Sequence, residues 1–180
     1  MTSPYSIHVH CHRLAAWAAS RAASVKGCRF KVQTGVSILE TTGFVANLST
    51  DDLPEPDTVD EWHARKRRAV ILGASKKGVT FTHGVAAKLI NCYLKVRFVC
   101  AGFHDNKRVA ALHPPIDEVL LKALAAHNSL NLGPQWRELR QHRWSKFDSV
   151  PYEKAIALIR RSLPQGEAMW KIEEHWKGHQ

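Results

Sequence analysis

The chain has 180 residues, 44% hydrophobic and 23% charged, values that let one domain bury a real core and exclude wholesale disorder. Its 26 Lys+Arg against 16 Asp+Glu give a formal charge of +10, which suits a polyanionic partner such as nucleic acid; the competing reading is a merely soluble basic protein. No apolar run reaches the length of a membrane span and MTSPYSIHVHCHR holds no apolar signal core, so a cytoplasmic protein with no membrane partner is expected.

In chain order, Ser6-Ile-His-Val-His-Cys-His12 comes first. If extended, it would set His8, His10 and His12 on one side, a geometry that can hold a metal through neutral imidazoles. Capping or surface roles are the competing reading. Residues 12–26 predict a helix whose period selects Leu14, Trp17, Ala18, Arg21, Ala22 and Val25, and whose alanines allow another helix to approach closely. Gly27 stops it. A short extended piece is expected over 28–33, then a weaker helix from Thr34 to Ala46 with Gly43 near its end. The polar stretch 47–60, with two prolines and five acids, reads as a loop and the least ordered segment.

Glu61 to Leu72 is helical in pattern and carries the basic run Arg65, Lys66, Arg67 and Arg68, either a solvated face or a set of phosphate contacts. A lysine-bearing loop, 73–78, leads to the central helix, expected from Gly84 to Val99. Residues 101–114 read as a loop, and Pro114-Pro115 is expected to open the next helix, with Asp117 in its first turn. That helix should bury Ile116, Val119, Leu120, Ala123 and Leu124. A break from Asn128 to Pro134, a basic helix from Gln135 to Arg143, a helix from Val150 burying Ile156, Ile159 and Leu163, and a closing helix from Glu167 to His175 complete the chain. The four cysteines, Cys11, Cys28, Cys92 and Cys100, form no C-x-x-C pair and are expected to be reduced thiols.

Two residues invite a chemical reading. Lys88, Asn91 and Lys95 make one polar stripe on an otherwise apolar helix. That stripe either faces water or serves a site. Gly84 would give the helix a start whose free N–H groups can receive a phosphate. Asp117, favoured as an anion by the next helix dipole, either caps that helix or faces Lys88. A carboxylate beside a lysine suits glycosidic cleavage, in which positive charge grows on a sugar ring and an amine can then capture C1′.

On Gly84-Val-Ala-Ala-Lys88 and Pro115-Ile-Asp117, the chain resembles the helix-hairpin-helix DNA glycosylases, the superfamily of endonuclease III and the 8-oxoguanine glycosylases. The resemblance spans about residues 80–125. Where those enzymes carry Leu-Pro-Gly-Val-Gly, this chain has Thr82-His-Gly-Val, and Glu-Val-Leu follows Asp117 in place of Thr-His-Val. The resemblance implies an all-α fold over 1–180, with a core at about 60–130 packed by the terminal helices. It implies a DNA glycosylase with abasic-site lyase activity, Lys88 as Schiff-base nucleophile and Asp117 as the stabilising carboxylate. The basic run Arg65, Lys66, Arg67 and Arg68 supplies candidate DNA contacts by charge, joined by His83 and Gly84 at the turn. His113 would sit near the Lys–Asp pair, and Trp144 and Phe147, two aromatics flanked by polar and basic residues, are candidates to stack a flipped base. No cofactor and no obligatory protein partner are implied, because the four-cysteine run of the iron–sulfur members is missing. Two other readings stay open: a non-catalytic nucleic-acid-binding helical domain, and a metal-dependent hydrolase or nuclease using His8, His10 and His12.

Overall fold

The computed structural model describes residues 5–127 and 132–178. Positions 128–131 of the expected break lie outside the described residues. Among those described the protein is all-α, with one isolated β-bridge, Val25 to Cys28, where the extended piece was expected. The elements are α1 (Ile7–Ala23), α2 (Val32–Thr41), α3 (Val59–Ser75), α4 (His83–Leu94), a π-helical stretch (Lys95–Phe103), α5 (Lys107–Ala110), α6 (Glu118–Ala126), α7 (Gly133–Gln141) and α8 (Ser149–Ser162). Short 3-10 turns cover Thr50–Asp52, Trp144–Lys146 and Met169–His175. No helix among the described residues is long and apolar enough to cross a membrane.

α4 is the central element because nearly all of it is apolar or small. From Gly84 to Asn91 every residue is buried, as expected of a helix packed on all sides. Val85, Ala86, Leu89, Ile90, Tyr93 and Leu94 join one apolar cluster with α1, α2 and α3, while Ala87 joins a second with α6, α7 and α8. Of the polar stripe, Lys88 and Asn91 are buried, and Lys95, the first residue of the π-helical stretch, is half-buried.

α1 packs against α4 through Ala15, Ala16, Ala19 and Ala23, all fully buried. This reverses the face expected from hydrophobic period: Leu14 and Trp17 are 52% and 53% exposed. Side chains without bulk let the two backbones close up, and the closer contact outweighs burying two larger residues. The helix also begins at Ile7, capped by the Ser6 hydroxyl, so the histidine stretch is not extended. His8 and His10 are exposed and His12 is buried, its ring against the Tyr93 hydroxyl at 2.9 Å. A common metal-facing side is therefore lost, and no group of His, Cys, Asp or Glu among the described residues is placed to hold a metal ion.

The acidic loop is better fixed than its composition implies. Arg97, buried on the π-helical stretch, donates to the carbonyls of Ala46 and Leu48, and Arg108 donates to the carbonyls of Asp51 and Leu53 and pairs with Glu55. Two guanidiniums from elsewhere thus satisfy backbone acceptors that the loop cannot satisfy itself. α3 continues to Ser75, and a short helix, α5, occupies part of the loop expected over 101–114.

Candidate active site

The start of α4 is built against one distant segment, Trp144 to Phe147. Thr82 is its N-cap, accepting from the Val85 N–H at 3.1 Å while its own hydroxyl donates to the Ser145 carbonyl at 2.9 Å. The Gly84 N–H donates to the Phe147 carbonyl at 3.0 Å. A Cβ at position 84 would lie 1.9 Å from the Trp144 carbonyl oxygen. Glycine is therefore required here because another backbone crosses the helix start. The N–H expected to receive a phosphate is already satisfied by protein, so the expected phosphate contact at Gly84 is corrected.

That crossing delivers Trp144 to the next turn of α4, where the Lys88 ammonium lies 5.7 Å from its ring centroid. The prolines before Asp117 do not open a helix: Pro114 to Ile116 are non-helical, and Asp117 itself is the N-cap of α6. Proline disfavours helical backbone in the residue before it, which keeps His113 and Pro114 out of a helix and postpones the helix to Glu118. Asp117 performs both roles considered for it. Its Oδ1 accepts from the Leu120 N–H at 2.9 Å, and its Oδ2 accepts from Lys88 Nζ and from Trp176 Nε1, each at 2.9 Å. Burial alone would raise the carboxyl's pKa; the Lys88 ammonium, the Leu120 N–H and the Trp176 N–H outweigh it and hold it below the ordinary aspartate value. Asp117 is an anion throughout the neutral range.

Lys88 and Asp117 lie on the wall of a cavity of about 500 Å³, with Trp144, Trp176, Cys92 and Glu173 around them. Ala18 and Ala22 of α1 form part of another wall, where larger side chains would intrude. Glu173 pairs with Lys95, two turns beyond Lys88, and burial pushes its carboxyl up despite that partner. Glu173 is a site residue that sequence reasoning missed, and Trp176 was not set apart from the other tryptophans as a stacking candidate. The sole signal for Trp176 was an indole near the end of the chain, one among six in the sequence.

Several expected site residues lie elsewhere. Phe147 is fully buried in the second apolar cluster and does not line the cavity. His113 is buried in a separate polar ladder between α3, α4 and α8. There Arg67 donates to His63 Nδ1 (3.2 Å), so His63 carries its proton on Nε2 and donates to Asn91 Oδ1 (2.7 Å). Asn91 Nδ2 donates to the Tyr152 hydroxyl (3.0 Å), which donates to His113 Nδ1 (3.1 Å), and His113 Nε2 donates to Asp60 (2.7 Å). Burial lowers the pKa of both imidazoles, which fixes this direction of donation by keeping them neutral.

The basic run divides by helical face. Arg67 is 1% exposed and committed to His63, His83, Ser149 and Glu153, so it has no donor surface to offer DNA; its expected role is corrected to a structural one. Lys66 is half-buried, donating to the Thr42 carbonyl at 2.8 Å. Arg65 and Arg68 are exposed. His83 is half-buried and accepts from Arg67 at 3.3 Å.

Compared with known proteins, the chain matches no family model, no curated protein and no solved structure. Any functional reading therefore rests on the residues themselves.

Proposed function

We propose that this protein is a DNA glycosylase that releases a damaged or modified base and processes the resulting abasic site through a Schiff base. One observation carries the reading: Lys88 Nζ and Asp117 Oδ2, 2.9 Å apart, share the lining of one cavity with Trp144 and Trp176. A carboxylate held ionised by its neighbours stabilises an oxocarbenium-like sugar, and flat apolar walls suit an unstacked base. The net charge of +10 supports a phosphate-rich substrate.

In this scheme the electron pair of the N-glycosidic bond leaves with the base. The proton that Lys88 must lose to become a nucleophile passes by way of the Asp117 carboxylate, which it already contacts, and ends on the departing base. The amine lone pair then forms the bond to C1′. The C1′–O4′ bond breaks with its electron pair leaving on O4′, which takes the proton released by the attacking nitrogen, and the Schiff base remains.

Borohydride trapping tests the proposal, with chelator present, on duplexes containing an abasic site or a panel of modified bases. A covalent adduct that disappears in Lys88→Gln is expected. Asp117→Asn should lose base release while keeping the helix cap, since asparagine caps as well as aspartate. Release without trapping would leave a monofunctional glycosylase. Neither trapping nor release on any substrate, with salt-sensitive DNA binding intact, would reduce the protein to a binding domain.

A further inference from the structure

Beside the Lys88–Asp117 cavity lies a second, more open cleft of about 590 Å³, lined by Glu118, Arg137, Arg140, Arg143, Trp144 and Ser145 among others. Glu118 and Trp144 line both. The cleft sets three arginines against one carboxylate, and all three arginines are exposed. Arg140 is tied to Glu118, and Arg137 reaches the Ala125 carbonyl at 3.3 Å with one nitrogen.

Arg143 is the informative member. Among the described residues it is the one non-glycine with positive φ (51°, with ψ 118°), a backbone that glycine adopts far more readily. Its side chain makes no ion pair among the described residues to offset that strain. Strained backbone of this kind clusters at binding and catalytic positions. The unusual backbone sits between α7 and the Trp144 turn, and Arg143 lines the cleft together with the Trp144 that borders the other cavity.

We infer that this cleft binds the phosphodiester backbone of DNA beside the nucleotide held at Lys88 and Asp117. The inference rests on the DNA reading above and adds to it the surface that the backbone takes. Planar guanidiniums offer forked donors to phosphate oxygens, and contacts of this kind set register without reading sequence. The basic run of α3 is the rival surface, now represented by Arg65 and Arg68.

The test is fluorescence anisotropy with a short labelled duplex of unmodified sequence over a range of salt, so no chemistry is needed for the readout. Two charge-matched pairs are compared, Arg137→Gln with Arg143→Gln and Arg65→Gln with Arg68→Gln. The cleft pair should flatten the dependence of log K on log salt by about 2 and weaken binding roughly tenfold at physiological salt. Arg143→Gly should keep or raise the Tm, because glycine suits that backbone, yet weaken binding roughly threefold. A loss from the α3 pair equal to or larger than that from the cleft pair overturns the inference, as does unaltered binding by Arg143→Gly. Retained base release with cleft-independent binding would sink this inference alone. Cleft-dependent binding without trapping or base release on any substrate would sink the glycosylase reading alone.

Discussion

Asn91 Nδ2 donates to the Pro114 carbonyl at 2.9 Å. Asn91 lies three residues after Lys88 on α4, and Pro114 three residues before Asp117. One side-chain amide therefore ties the helix bearing the lysine to the segment bearing the carboxylate. The same amide joins His63 and Tyr152, so the pair is braced from α3 and α8 as well.

Asn91→Leu should cost about 3 kcal/mol of stability, because it strands the Pro114 carbonyl and the His63 N–H in a dry interior. Urea unfolding reads this directly. A change within about 0.5 kcal/mol, the range of an ordinary surface substitution, would show that the ladder does not brace the site.

Gly84→Ala should destabilise by about 2–3 kcal/mol, since either α4 or the Trp144 turn must move to relieve a contact of 1.9 Å. Because that turn holds Trp144 over Lys88, the same variant should alter indole fluorescence in the folded state. Wild-type stability in Gly84→Ala would refute the close crossing.

Arg67→Met should lose about 3 kcal/mol by removing the charged donor to His63, His83, Ser149 and Glu153. Arg65→Gln and Arg68→Gln, on the exposed face of the same helix, should each stay within about 0.5 kcal/mol of wild type. Thermal melts of the three variants would separate the buried arginine from its neighbours. A mild effect at Arg67 would return it to the candidate DNA contacts.

Acid should weaken the fold in two stages. His63 and His113 are held below the ordinary histidine value by burial, so their contribution is fully present above about pH 6.5 and is lost as pH falls, when the unfolded chain takes up protons that the folded one refuses. Each contributes a slope of about 1.4 kcal/mol per pH unit below that point, so His63→Leu should reduce the slope by about one proton. Asp60, lowered by the His113 and Arg160 hydrogen bonds, and Asp117 add a second loss as pH drops below about 4. Urea titrations from pH 8 to pH 3 measure both stages. A flat profile between pH 7 and pH 5 would contradict the neutral buried imidazoles.

The helical class and the central α4 were legible because each rests on local signals, whereas the pairing of Lys88 with Asp117, 29 residues apart, was expected from the resemblance. Spacing at 3.6 residues, a capping residue and a glycine at a helix start act within a turn or two. Local period failed on α1, where an alanine-rich helix offers two usable faces and backbone approach to α4 decides between them. It also failed at the prolines, which delay α6 rather than begin it.

By itself, then, the sequence determined an all-α chain, its basic charge, and an aspartate set to cap the helix that follows it. Only the tertiary structure decided which polar groups are already satisfied. The Gly84 N–H is taken by Phe147, Arg67 by residues as far away as Glu153, and Asp117 receives a third donor from Trp176, 59 residues further along the chain. Hydrogen bonds between groups so distant in sequence leave no periodic trace, because their partners are chosen by how helices pack and not by the backbone on either side.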